Sequence, residues 1–149
     1  MHETQLNDHV AICETKARYC RTLDTKDWEG YTDVFTEHLV LDTTPAGGYE
    51  VHGRVDAVRL VQESLDNANT VHHVHSPEIR IDKDTAEVIW AMQDRVVWSP
   101  GKAEKMGNQG HTGYGHYHER YVRCPDGRWR ISHLRLTRLH VDVHPGTTT

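Results

Sequence analysis

Small or apolar residues recur at alternating steps of four and three from Leu6 through Val10, Cys13, Ala17 and Cys20. That spacing keeps one helical face and predicts a first helix over 4–23. The next step of four lands on Asp24, so a stripe that should be buried ends in a carboxylate. A second short helix is predicted around Trp28, Tyr31 and Phe35, opened by Asp27, and a third around Val58, Val61 and Leu65 after Gly53. Between them "HLVLDTTPAGGYEVHG" reads as a strand, a Pro/Gly turn and a shorter strand. From Thr70 onward the pattern turns to β: segments 70–81, 85–98, 114–123 and 128–142 are rich in Val, Ile, Trp and Tyr. They are separated by Asp82-Lys83-Asp84, a Gly-rich loop over 99–113, and "CPDG". Helices first and an antiparallel meander after them predict an α+β fold. The "HPGTTT" tail is expected to fray.

Composition narrows the function. With 149 residues the chain is expected to form one domain with one cavity-sized site. Seventeen Lys and Arg against 22 Asp and Glu give a formal charge of -5, with no basic block, which removes the electrostatic footprint for nucleic acid and favours a small-molecule substrate. The start "MHETQLNDHV" lacks a basic flank followed by an apolar core, and no run approaches the roughly 18 apolar residues of a membrane helix. A cytoplasmic protein without a membrane partner is the expectation. The three cysteines form no CxxC, and Cys13 and Cys20, about 10 Å apart at about 1.5 Å rise per residue on one helix, lie beyond disulfide reach.

Four kinds of chemistry have candidate residues. Asp24 is anomalous because a buried carboxylate is costly unless paired, although an exposed helix end explains it equally well. Asp94 interrupts the otherwise apolar face Val88, Trp90, Met92, Val96, Trp98, and a structural salt bridge is the alternative there. If segments 70–81 and 85–98 fold back around Lys83, His72 lies opposite Asp94; a tighter two-residue turn sets His73 there instead, and Pro77 can mark a bulge that shifts the faces. Plain alternation puts His73 and His75 on the face of Ile79 and Ile81, so the pattern does not choose among the histidines. His73-x-His75 and His116-x-His118 each have two-step spacing suited to metal, but Glu119 follows at once and points to the other face, unlike a cupin-type ligand set. No metal site is therefore expected. No GxSxG is present, the cysteines suit core or turn positions, and the glycines 107–115 lack a strand-loop-helix context for phosphate.

The stretches "RYCRTLDTKDW", "TVHHVHSPEIRID", "DTAEVIWAMQD" and "GHYHERYVRCPDGRWRIS" together resemble the SnoaL-like branch of the nuclear-transport-factor-2-like superfamily, which includes scytalone dehydratase, bile-acid 7α-dehydratase and hexachlorocyclohexane dehydrochlorinase. The resemblance spans about Leu6 to Leu139. It implies a cone-shaped α+β barrel, with a curved, mainly antiparallel sheet wrapped around three N-terminal helices. It also implies an acid-base dyad of Asp24 with His72, a tyrosine at Tyr19 and a further acid at Asp94. Where the dehydratases carry a second tyrosine, this chain has "LDTTP", placing Thr43 or Asp42 there. The implied activity is a cofactor-free elimination on a small, largely apolar cyclic substrate, with Trp90, Met92, Trp98 and Tyr117 as candidate pocket walls and His72 as the base. An isomerase, a cyclase or a non-catalytic binding or docking domain of the same fold is the alternative. The resemblance further implies a homotrimer, or a homodimer as in other relatives.

Overall fold

The computed structural model describes residues 2–146. A long helix α1 (Glu3–Asp24) and a short α2 (Trp28–Asp33) come first, followed by β1 (Phe35–Asp42), a single helical turn at Thr44–Ala46, β2 (Glu50–His52) and α3 (Arg54–Leu65). Four long strands follow: β3 (Ala68–Asp82), β4 (Thr85–Trp98), β5 (Asn108–Arg123) and β6 (Trp129–Pro145), with α4 (Pro100–Met106) between β4 and β5. One six-stranded sheet results, in the order β2-β1-β6-β5-β4-β3, antiparallel throughout except for β1 against β6. The fold is the expected α+β architecture, with the sheet curved and not closed.

Three local expectations are corrected. Phe35 opens β1 and is not part of α2, whose start is capped by Asp27 accepting from the Gly30 amide at 3.0 Å. The supposed Gly-rich loop holds α4 and the first residues of β5; Gly107, at φ 70, closes the helix in the left-handed region where glycine bears no Cβ penalty. His144 and Pro145 of the tail belong to β6, while the final residues 147–149 of the stretch expected to fray lie outside the described residues.

The largest correction concerns which face of α1 is buried. Leu6 and Val10 of the predicted stripe are exposed, and the inward residues are Asp8, Ile12, Thr15, Lys16, Tyr19 and Leu23. Polar groups occupy that face because each has a partner. Asp8 takes two hydrogen bonds from Arg123 at 2.8 and 2.9 Å and one from Trp129 at 3.1 Å, Thr15 donates to the Trp129 carbonyl at 2.9 Å, and Lys16 is paired with Glu119. Buried polar groups are tolerated only when satisfied in this way. Around them Ile12, Leu23, Val34, Leu39, Val88, Ile131 and Leu134 form the core between helices and sheet, each contributing about 1.5–3 kcal/mol by leaving water.

The β3–β4 hairpin sets the register of the site through two compensating irregularities. The turn at Lys83 and Asp84 is tight, with Lys83 at φ 53, and pairs Asp82 with Thr85 and Ile79 with Val88. Continued without interruption, that register would put His73 opposite Asp94. A bulge between His75 and Glu78, around Pro77, adds one residue to β3 and restores His72 opposite Asp94. The same bulge moves Ile79 and Ile81 onto the inner face with His72, leaving His73 and His75 exposed.

Candidate active site

A cavity of about 310 Å³ opens between α1, α3 and the inner face of the sheet. Larger depressions of about 440 and 640 Å³ lie on the sheet's outer surface and are walled by side chains such as Glu87 and Arg120. Only the smaller one joins an extensive apolar wall to converging titratable groups, the usual character of a small-molecule site.

Asp24, the last residue of α1, is held at the cavity by β3. Its Oδ1 accepts from His72 Nδ1 at 2.7 Å and from the Thr70 hydroxyl at 2.9 Å, and its Oδ2 accepts from the His72 amide at 2.8 Å. Lys26 donates to Thr70 Oγ1 at 2.8 Å and backs the cluster. With Nδ1–H bonded to the carboxylate, the neutral imidazole carries its lone pair on Nε2, the tautomer a base requires.

Asp94 faces the same cavity from β4, and Arg138 of β6 grips it with two hydrogen bonds, of 2.6 and 3.0 Å. His111 Nε2 lies 3.7 Å from Oδ2 of that carboxylate. Burial alone would raise the Asp94 pKa; the nearby His111 ring and the hydrogen bonds and charge of the Arg138 guanidinium outweigh it and hold the group below the usual carboxylate range. Asp94 is therefore a fixed anion. Gly113, its partner on β5, makes room for this pair, because a Cβ there would overlap both the Arg138 guanidinium and the Asp94 carboxylate.

The floor of the cavity is aromatic. Tyr19 packs on Tyr31 at 5.3 Å and on Tyr117 at 5.8 Å between ring centroids, and all three line the space. Burial pushes each phenol well above its ordinary value, so they stay protonated and act only as hydrogen-bond donors or acceptors. Lys16 sits beneath, its Nζ 3.5 Å from the Tyr19 ring and 3.8 Å from the Tyr117 ring, while its partner Glu119 also accepts from Trp90 at 3.1 Å and Tyr121 at 2.5 Å. Leu23, Leu41, Leu60, Val61, Leu65, Leu134 and Leu136 supply the apolar wall, and Thr43 and Tyr49 stand at the β1–β2 turn.

Of the expected wall residues, Tyr117 and Thr43 line the cavity. Trp90 and Met92 do not; both are fully packed core residues beneath it. Trp98 lies beside the site, its ring centroid 5.9 Å from that of His111 in an edge-on arrangement and its Nε1 bonded to Asn108 at 3.0 Å. These three are corrected because a continuous apolar strand face also covers the helices, and alternation does not mark where packing ends and the cavity begins. His116 and His118 lie on the outer face, His118 donating to or accepting from Thr137 at 3.1 Å. Among the described residues no group of three His, Cys, Asp or Glu is placed to hold a metal ion. Sequence reasoning missed Arg138, His111, Tyr31 and Tyr49. For Arg138 a signal existed, since "LRLTRL" puts one cation on the strand face shared by Leu134 and Leu136.

The SnoaL-like domain model matches residues 4–135. A relative named as a probable cyclase, FGR4 of Gibberella zeae, is 28% identical over 139 residues, covering 87% of this chain and 89% of its own. A candidate scytalone dehydratase from Novosphingobium aromaticivorans has a similar structure, with a TM-score of 0.83 at 18% identity over 100% of this chain and 99% of that one. A hexachlorocyclohexane dehydrochlorinase (LinA) of type 2 gives a TM-score of 0.80 at 17% identity, covering 97% of this chain and 94% of its own.

Proposed function

The chain belongs to the SnoaL-like domain family, and from that premise we propose that it is a cofactor-independent lyase carrying out a dehydratase-type elimination on a small, largely apolar cyclic substrate. The observation that carries this reading is the 2.7 Å hydrogen bond from His72, which lines an apolar cavity, to Asp24, with the second imidazole nitrogen of His72 bonded to nothing among the described residues. His72 Nε2 removes a proton next to a carbonyl, Asp24 holds the ring and stabilises the imidazolium that forms, and Tyr19 polarises the carbonyl as a phenol. Asp94 acts as a fixed charge that orients Arg138, and Tyr117 and Thr43 shape the space around the ring. The relative named as a cyclase favours a second reading, in which the same base creates a carbon nucleophile that closes a ring and expels no group. Product analysis separates the two, since an elimination releases water or another leaving group and a cyclisation does not.

The test is kinetic. His72→Ala is expected to lower kcat by about 10²–10⁴-fold, the typical share of general acid-base catalysis. Asp24→Asn is expected to lower kcat with little change in KM, because it keeps the shape and removes the charge. His73→Ala and His75→Ala, on the exposed side of β3, should stay near wild type. Equal losses from all three histidines would refute the dyad.

A further inference from the structure

We infer that His111 is a second proton-transfer residue of this site, the general acid that protonates the departing group while His72 acts as the base. The inference rests on the elimination reading and extends it to a residue outside the dyad.

Three features hold His111 at the cavity. The residue before it, Gly110, has φ 124, a conformation L side chains rarely adopt, and a Cβ there would overlap the Val96 carbonyl. A register shift in the β5–β6 pairing falls between Asn108 and Gly110, an irregularity of the kind that re-aims a neighbouring side chain. Asn108 Oδ1 fixes it by accepting from the Gly110 amide and from Trp98 Nε1, both at 3.0 Å, and the Trp98 ring edge then packs on His111. The third feature is Asp94, 3.7 Å from His111 Nε2, an ion-pair distance longer than a hydrogen bond. The cavity therefore has two imidazole–carboxylate pairs, Asp24 of α1 with His72 of β3 and Asp94 of β4 with His111 of β5. Arg138 takes up part of the Asp94 charge, so the second pair does not copy the first.

In an elimination of water the two histidines divide the proton transfers. The C–H electron pair becomes the new π bond as its proton moves to His72 Nε2; the C–O bond breaks, and the oxygen leaves with the bonding pair and takes a proton from the His111 ring as water. The site then holds one added proton on His72 and one fewer on His111. A proton returned through solvent at the mouth restores it, and the net change is substrate to alkene plus water. A hydroxide leaving group demands the acid, whereas a carboxylate leaving group does not.

The experiment uses a benzo-fused β-hydroxycyclohexanone, whose elimination gives a naphthol, and its β-acetate, with wild type, His111→Gln and His72→Asn. Wild type should accelerate both reactions above the buffer rate. His111→Gln should slow the hydroxyl substrate by about 10²–10⁴-fold and expel acetate near the wild-type rate, and His72→Asn should lose both. Equal losses of His111→Gln on both substrates would make His111 structural, and no loss would make it a bystander; either outcome overturns the inference and leaves the dyad standing. If wild type accelerates neither reaction, or His72→Asn matches wild type, the elimination reading falls and this inference with it.

Discussion

Lys16 and Asp94 carry buried charge for different ends. Lys16 is fully buried and bound to Glu119, where burial pulls its pKa down and the Glu119 charge opposes that. Removing one partner strands the other, so Lys16→Met is expected to cost about 3–5 kcal/mol, and Lys16→Met with Glu119→Gln less than the sum of the single changes. Urea titrations of the four proteins check this. Asp94 gives a pH signature. Its folded-state pKa lies below the ordinary carboxylate value, so its stabilisation is complete above the unfolded pKa of about 3.9 and is lost as pH falls toward the folded value. Wild-type urea midpoints should fall below about pH 4. In Asp94→Asn that acid limb should be shallower, and the neutral-pH midpoint should itself be lower because Arg138 loses its partner; an unchanged acid limb would refute the linkage.

At the scale of elements, glycine and the bulge matter more than propensity. Gly113→Ala adds no backbone strain, since its φ is not in the left-handed region, but its Cβ would overlap Arg138 and Asp94. We expect it to cost about 1–3 kcal/mol and to be markedly non-additive with Asp94→Asn in a double-mutant cycle. Additivity would mean that the pair does not span Gly113. The β3–β4 hairpin shows how far pattern reaches: both strands were legible from their apolar residues. Which histidine faced inward was not, because a tight turn and a bulge each move the register by one residue and cancel at His72. A hydrophobic stripe also pointed α1 the wrong way, since the buried face of that helix is stabilised by ion pairs and hydrogen bonds that only distant strands provide.

For the whole molecule, helices cover one face of the sheet and leave the other open. On or near that open face Val71 is exposed, and Ile89, Val97 and Val122 are partly buried. Apolar surface of this kind favours association, and we expect a homotrimer, with a homodimer as the alternative. Sedimentation at micromolar concentration checks it, with Val71→Glu and Ile89→Glu expected to weaken assembly; a monomer under those conditions would refute it.

By itself the sequence determined the α+β class, the order of helices and long strands, the family to which the chain belongs, and a short list of titratable residues at the ends of predicted elements. Those features rest on local periodicity and turn chemistry, which neighbouring residues encode. The family resemblance already implied the pairing of Asp24 with His72, and the tertiary structure supplied the register that brings them together across 48 positions; it alone decided that Arg138 closes on Asp94 across 44 and that His111 stands beside Asp94. Contacts of that span depend on sheet order, register and a single bulge, and their energy comes from pairing charges that no local pattern brings together.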